Sequence, residues 1–404
     1  MSDLRLVRQP IFGANDALMG YEIRFRDADD GRHAFAQSVL SGSFDQMRGH
    51  LPAFVSCSRA QLVEDVYELA SPASAILLLS PDLEPDAEVI SAMDRYCERG
   101  GRFALDEVGA EPTPSEALLP YVSWVRIDLR LDDMEVIRRI CSRINVRSGA
   151  QPVRVIADHV YDQPQYEAAV ALGVHAYQGP YFSRAEPLPA ADLPTSTVAT
   201  MRLMGLARDE RVKDSELEAV LATDPVLTFQ LLRMVNSAAM GIGGVSSIGQ
   251  ALRLIGRASF LRWLAVAVAA SRRSTTGVDE ELVRKAVERG RLLEQLAGGP
   301  RDAGTLFLVG LFSLLDAVFR MPMEEILSRV ALSEDARGAL LAQEGPYAAA
   351  LAFAEAYELG MFEQANELAT QMQIDPRQLG GFYTAAISWA AETLAPTGEA
   401  SSRV

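Results

Sequence analysis

The sequence predicts an α/β barrel joined to an all-helical domain. Three observations carry that prediction. Through about residue 185, short apolar runs alternate with helical segments. After about residue 198, only helical periodicity remains, as far as about residue 394. Between the two halves, EPLPAADLPTST (186–197) holds three prolines and no apolar period, which marks a linker. A length of 404 residues suits two or three such domains.

In the first half, strands are predicted at Leu6–Phe12, Tyr21–Phe25, Ala53–Cys57, Ala75–Leu79, Arg102–Asp106, Ser123–Asp128, Val153–Ala157 and His175–Tyr177. AFVSC, AILLL and VRVIA are continuously apolar or β-branched, as strands covered on both faces must be. Predicted helices separate them: Ala34–Met47, Arg59–Leu69, Asp86–Arg99, Asp132–Asn145 and Gln163–Leu172. Strands alternating with helices imply parallel pairing, and eight of them imply a closed (β/α)8-type barrel. GANDALMG is too short for a crossover helix, so the first two strands should form an antiparallel hairpin. The domain is small for an eight-fold barrel, so some helices must be short or missing.

In the second half, apolar residues recur at i, i+3, i+4 over Val226–Ser237, Ser247–Ile255, Ser259–Ser271 and Glu280–Leu296. Further helices are predicted at Leu306–Phe319, Met323–Val330, Ser333–Ala342, Tyr347–Leu359, Met361–Met372 and Pro376–Leu394. The expected organisation is therefore a barrel over 1–185, a linker over 186–197, a helical domain over 198–394 and a fraying tail over 395–404.

Charge and residue usage exclude several functions. Lys+Arg is 38 against 54 for Asp+Glu, a net charge of −16. Residues 1–190 hold 18 basic and 28 acidic side chains, leaving 20 and 26 for the rest. A phosphate backbone repels both halves, so nucleic acid is not the expected partner. Cys57, Cys97 and Cys141 are dispersed and lack CxxC spacing, which reads as reduced thiols in a cytoplasmic protein. The N-terminus lacks a long apolar core, so no secretory signal is expected. The longest uncharged run, Met234–Leu252, is too polar and glycine-rich to span a membrane. The four histidines are His33, His50, His159 and His175, and the only lysines are Lys213 and Lys285. The helical half thus has no histidine, and the barrel half has no lysine.

The first half resembles EAL domains, the barrels of cyclic di-GMP phosphodiesterases. The resemblance rests on RQPIF (8–12), GYEIRFR (20–26), FALDEVG (103–109), WVRIDL (124–129), VIADHVYD (155–162) and AYQGPYFS (176–183), in family order. The second half resembles HDOD domains, helical relatives of HD phosphohydrolases. The carrying fragments there are DPVLTFQLLRMVNSAAMG (224–241), SSIGQALRLIGRASFLRWL (246–264), VGLFSLLDAVFRMPMEEIL (309–327) and AEAYELG (354–360).

The EAL resemblance implies a set of site residues, some kept and some lost. Cleaving a phosphodiester needs metal ions held by converging oxygens at the C-terminal ends of the strands. Glu22 matches the Glu of the EAL signature and Asp106 the first of the paired aspartates. Glu107 and Asp158 are carboxylates in altered form. Gln9, Arg26 and Gln178 match positions used around the dinucleotide. The metal-ligand Asn aligns with Ser56, a Glu with Leu78, the Lys with Arg126 and a later Glu with Tyr161. Arginine stays protonated and cannot exchange a proton with water. The expectation is therefore a barrel without catalytic residues, cofactor or resident metal. The alternatives are one weak Mg2+ at Asp106, Glu107 and Asp158, binding of cyclic di-GMP without turnover, or residual hydrolysis.

Metal-dependent HD chemistry is excluded in the second half, which has no histidine ligand. Between Asp224 and Asp279 there is no acidic residue, but there are six arginines: Arg233, Arg253, Arg257, Arg262, Arg272 and Arg273. They read either as a docking patch for an acidic partner or as solvated helix faces. Asn236, before GIGG, reads as a residue that shapes its loop. The expected function is a cytoplasmic signalling scaffold whose partners are other signalling proteins. The resemblance adds self-association as a homodimer.

Overall fold

The computed structural model describes residues 5–26, 32–130, 134–147, 153–183, 195–208, 211–236, 245, 247–271, 276–328, 330 and 332–394. Eight strands close into a barrel in sequence order. They are β1 (Arg5–Gly13), β2 (Leu18–Arg26), β3 (Ala53–Cys57), β4 (Ala75–Leu79), β5 (Arg102–Leu105), β6 (Trp124–Asp128), β7 (Arg154–Asp158) and β8 (Ala176–Tyr177). β1 runs antiparallel to both its neighbours, pairing Gln9 with Glu22 on β2 and Phe12 with Tyr177 on β8. Every other pairing is parallel.

The hairpin and the apolar runs are as the sequence predicts, and β3 and β4 have the predicted bounds. Helices α1 (Arg32–Leu40) and α2 (Ser43–Arg48) replace one predicted helix, because Gly42 between them takes a left-handed φ of 77°. The outer ring is thin, as the short chain requires. α3 (Arg59–Val63) is a single turn closed by a Ser58–Gln61 capping box. A 3-10 segment, Pro114–Tyr121, links β5 to β6 without an α-helix. α4 (Ala87–Glu98), α5 (Met134–Arg147) and α6 (Gln163–Ala171) complete the set.

The lower barrel interior is hydrocarbon. Ile11, Phe54, Ile76, Leu78, Ala104, Trp124, Ile156 and Ala176 form one buried cluster. Side chains on a strand alternate between its faces, so this cluster fixes which residues further along point inward.

Two compact units are present. The first contains the barrel, Met1–Arg184, together with Thr275–Glu281 and Glu355–Glu392. The sequence pattern alone places these two later segments in the helical domain. Helical periodicity reports that a segment has an apolar face, not what covers it. Here the coverings are specific. The Val278 amide donates to the Asp16 carbonyl at 3.1 Å, and the Tyr21 hydroxyl to Glu281 at 2.9 Å. The Tyr357 hydroxyl donates to the Leu6 carbonyl at 3.4 Å. Tyr357 also packs on Tyr383 at 5.2 Å.

The second unit is all helix among its described residues. It contains α7 (Thr195–Arg208), α8 (Asp214–Leu221), α9 (Pro225–Val235) and α10 (Ile248–Ala269). α10 packs on the other three. It merges two predicted helices, with a kink at Gly256, where φ is 72°. α11 (Gly277–Gln295) and α16 (Ala348–Glu358) each have residues in both units. α12 (Pro300–Phe312), α13 (Leu315–Phe319), α14 (Met323–Ser328) and α15 (Glu334–Ala342) complete the second unit. α17 (Phe362–Gln371) belongs to the first unit, as does α18 (Leu379–Leu394) up to Glu392. Most of the predicted linker, and the tail 395–404, lie outside the described residues. No helix among the described residues is long and apolar enough to cross a membrane.

Candidate functional site

Three of the residues one pleat step beyond the apolar cluster are charged. Past Ala104, Trp124 and Ile156 stand Asp106, Arg126 and Asp158, and Glu22 and Arg24 share the inward face of β2. They lie at the C-terminal ends of the parallel strands, where barrels of this class place their chemistry. Glu22 is 1% exposed, Asp158 5% and Arg126 6%. Charges this deep persist only when paired.

Arg126 is the centre of the pairing. Its Nε and Nη2 donate to the two oxygens of Asp106 at 2.6 and 2.8 Å, a bidentate fork. Its Nη1 lies 2.8 Å from Glu22 Oε1 and 3.5 Å from Asp158 Oδ2. One guanidinium therefore serves three carboxylates from three strands. Arg24 adds a second cation, 3.0 Å from Glu22 and 4.0 Å from Asp158. Gln178 Nε2 donates to Glu22 Oε2 at 2.6 Å and to Gln9 Oε1 at 3.0 Å. The formal charge of the five ions is three negative against two positive.

The titration behaviour follows from this packing. Burial alone would raise Glu22, but Arg126 and then Arg24 outweigh it and hold the carboxyl at about 2. Asp158 is pushed up, because burial and the Glu22 charge exceed what Arg126 returns. Arg126 is raised: Glu22, Asp106 and Asp158 together outweigh its own desolvation. At the rim, Asp128 lies 3.2 Å from His159 Nδ1 and is clamped by Arg130. Burial would raise Asp128, yet the Arg130 hydrogen bonds hold it below its ordinary value.

The residues named from sequence separate cleanly. Gln9, Glu22, Asp106, Asp158 and Gln178 converge. Glu107 does not: it is exposed, with a φ of 44°, and its amide caps Asp106 Oδ1 at 2.8 Å. Leu78 is part of the apolar cluster. Ser56 is exposed, and its carbonyl accepts from Tyr67 at 2.7 Å. Tyr161 is 44% exposed, in the turn after β7. The side chain of Arg26 lies outside the described residues. Arg126 appears in the sequence reading only as a lost lysine. In the structure it is the hub of the site. Arg24 is missed altogether, although its i+2 spacing from Glu22 in YEIRFR puts both on one face of a strand.

A divalent ion does not fit this arrangement. It would need several oxygens at about 2.0–2.6 Å, and the Arg126 guanidinium already engages all three inner carboxylates. Among the described residues no group of three or more His, Cys, Asp or Glu is arranged to hold a metal, and of the alternative Mg2+ set Asp106, Glu107 and Asp158, Glu107 stands exposed, apart from the other two.

The arginines of the helical half are partly engaged. Arg257 bonds Asp214 and the Val212 carbonyl, each at 2.6 Å, and Arg262 pairs with Glu294. Their acidic partners lie outside the 224–279 window, where sequence spacing could not show them. Arg253 is exposed. Arg272, Arg273 and the side chain of Arg233 lie outside the described residues. Asn236 bonds the Val245 backbone with both amide atoms, at 2.8 and 2.9 Å; the residues between them lie outside the described residues. Cys57 is buried and Cys97 exposed; all three cysteines are free.

The HDOD domain family matches residues 193–372. Over 401 residues the chain is 23% identical to the uncharacterized protein YuxH of Bacillus subtilis, spanning 95% of this chain and 97% of that protein. Over 390 residues it is 25% identical to the cyclic di-GMP phosphodiesterase CdgJ of Vibrio cholerae, spanning 92% and 88%. Among solved structures, an EAL domain protein from Listeria monocytogenes is 18% identical, with a TM-score of 0.36, over 45% of this chain and 88% of that one. Residues 193–372 thus match the HDOD domain family, and they follow a closed eight-stranded barrel.

Proposed function

We propose that this chain is a non-catalytic regulator in cyclic di-GMP signalling that acts through protein–protein interaction. The single observation that carries the reading is Arg126, held between Glu22, Asp106 and Asp158 at 2.6–3.5 Å. A fixed, permanently protonated cation stands where hydrolysis would require exchangeable metal ions. It pairs with all three inner carboxylates without any ligand, and it cannot activate water. The absence of histidine after His175 removes the second half from HD-type metal chemistry as well. The link to cyclic di-GMP rests on the EAL and HDOD architecture and on the likeness to CdgJ.

The name of CdgJ favours a second reading, weak residual hydrolysis through Glu22, Asp106, Glu107 and Asp158. One experiment separates the two. Cyclic di-GMP is titrated calorimetrically into the full chain with Mg2+, Mn2+ or Ca2+ and with chelator, and the recovered nucleotide is analysed. The non-catalytic reading expects intact nucleotide throughout and no dependence of the heat on the metal. Linear product would establish the second reading. Metal-independent binding of intact nucleotide would make the barrel a receptor.

A further inference from the structure

The carbonyl of Glu358, at the C-terminal end of α16, accepts a hydrogen bond from Gln9 Nε2 at 3.3 Å. Two residues later the backbone passes against the same rim. A Cβ on Gly360 would lie 3.6 Å from Arg24 Cδ, 3.7 Å from Val7 and 3.9 Å from Arg24 Nη1. Gly360 has a φ of 74°, the left-handed turn that ends the helix. Tyr357, 1% exposed, fastens the turn from the other side through its bond to the Leu6 carbonyl. Three contacts therefore seat residues 357–360 on β1 and β2 at the C-terminal mouth of the barrel. The contact does not stop at the rim. Gln9 passes it to Gln178, Gln178 to Glu22, and Glu22 to Arg126.

We propose that the turn Tyr357–Gly360 is an in-chain strap, an autoinhibitory contact that occupies Gln9 and shields Arg24 from any phosphodiester ligand. Gln9 has one amide NH2 and Arg24 one guanidinium. While the strap is seated, one N–H of the first is committed to a backbone carbonyl, and the second, 30% exposed, is partly overlaid by backbone. A cyclic dinucleotide and the strap then compete for the same donors, and lifting one admits the other. The strap is chemically suited to this role, since a helix C-terminus presents carbonyl acceptors in place of phosphate oxygens. The inference goes beyond the absence of catalysis, because it concerns access to the mouth and not turnover.

The test is calorimetric titration of cyclic di-GMP into the full chain in chelator, comparing wild type with Gly360→Arg. The new cation would face Arg24 and push the turn away. Hydrogen exchange of residues 355–362 shows whether the strap has lifted. Tyr357→Phe, which removes the bond to the Leu6 carbonyl, is the milder second variant if Gly360→Arg does not fold. The expected result is exchange at least ten-fold faster over the strap, with cyclic di-GMP bound at least ten-fold more tightly. A lifted strap with unchanged affinity, or with no heat from either protein, overturns the proposal. Exchange that stays at the wild-type rate in both variants also overturns it, because these contacts would then not seat the turn. Neither outcome bears on the non-catalytic reading, which stands or falls on linear product.

Discussion

Two layers of the barrel interior, built by the same strands and two residues apart, have opposite chemistry. The lower layer, from Ile11 and Phe54 through Trp124 to Ala176, is hydrocarbon and holds itself together by packing. The upper layer, Glu22, Arg24, Asp106, Arg126 and Asp158, consists of ions: Glu22, Arg126 and Asp158 are buried, while Arg24 and Asp106 keep part of their surface in water. An apolar layer tolerates loss in proportion to the volume removed. A buried ionic layer does not, because each ion is the solvation of its neighbours. The difference teaches where the barrel is robust and where it is brittle.

The largest break is expected at the hub. Arg126→Ala strands Glu22, Asp106 and Asp158 together, and removing one partner of a buried ion cluster costs about 3–5 kcal/mol. Urea unfolding monitored at barrel Trp124 measures it. A loss below about 1 kcal/mol, the range of exposed pairs, would show the ionic layer to be solvated and not buried. Leu78→Ala probes the lower layer, where deleting a packed leucine costs about 3 kcal/mol and leaves a cavity. The two layers should also differ in salt response. High salt should leave the cost of Leu78→Ala unchanged and reduce any effect that reaches solvent-exposed charge.

The smallest effect is a pH dependence. Glu22 titrates at an ordinary 4.5 when unfolded and at about 2 when folded. Between those values the unfolded chain holds a proton that the folded chain lacks, so stability falls as the pH drops through the window. From pH 5 to pH 3 this one group contributes a loss of about 2 kcal/mol. Asp158 has the opposite sign: its raised value costs stability as the pH climbs past its ordinary 3.8, and acid relieves it. Comparing wild type with Glu22→Gln at the two pH values isolates the Glu22 part. The variant should lose about 2 kcal/mol less on acidification, and equal losses would show that Arg126 and Arg24 do not hold that carboxylate down.

How much of this was legible depends on range. AFVSC and AILLL announce strands because a strand covered on both faces must be apolar at every position, a purely local requirement. The hairpin was legible from the shortness of GANDALMG. Gly42 broke a predicted helix, and its signal, one glycine between two apolar faces, was present in the sequence. Glu22, Asp106 and Asp158 were legible through their motif fragments. Arg24 was legible in principle, two residues from Glu22 on a strand.

The role of Arg126 was not legible. A residue type tells what an arginine can do, but its three partners come from β2, from the end of β5 and from β7, up to 104 positions away in the chain. The same holds for Glu355–Glu392, whose periodicity announced helices without naming the barrel as the surface they cover. By itself, then, the sequence determined the strands, the hairpin, the two fold classes and the missing histidines, because each follows from local pattern or plain counting. Only the tertiary structure decided that a guanidinium fills the carboxylate site and that Glu358 reaches Gln9. Those outcomes depend on which distant residues barrel closure brings within hydrogen-bond range, and no local preference encodes that.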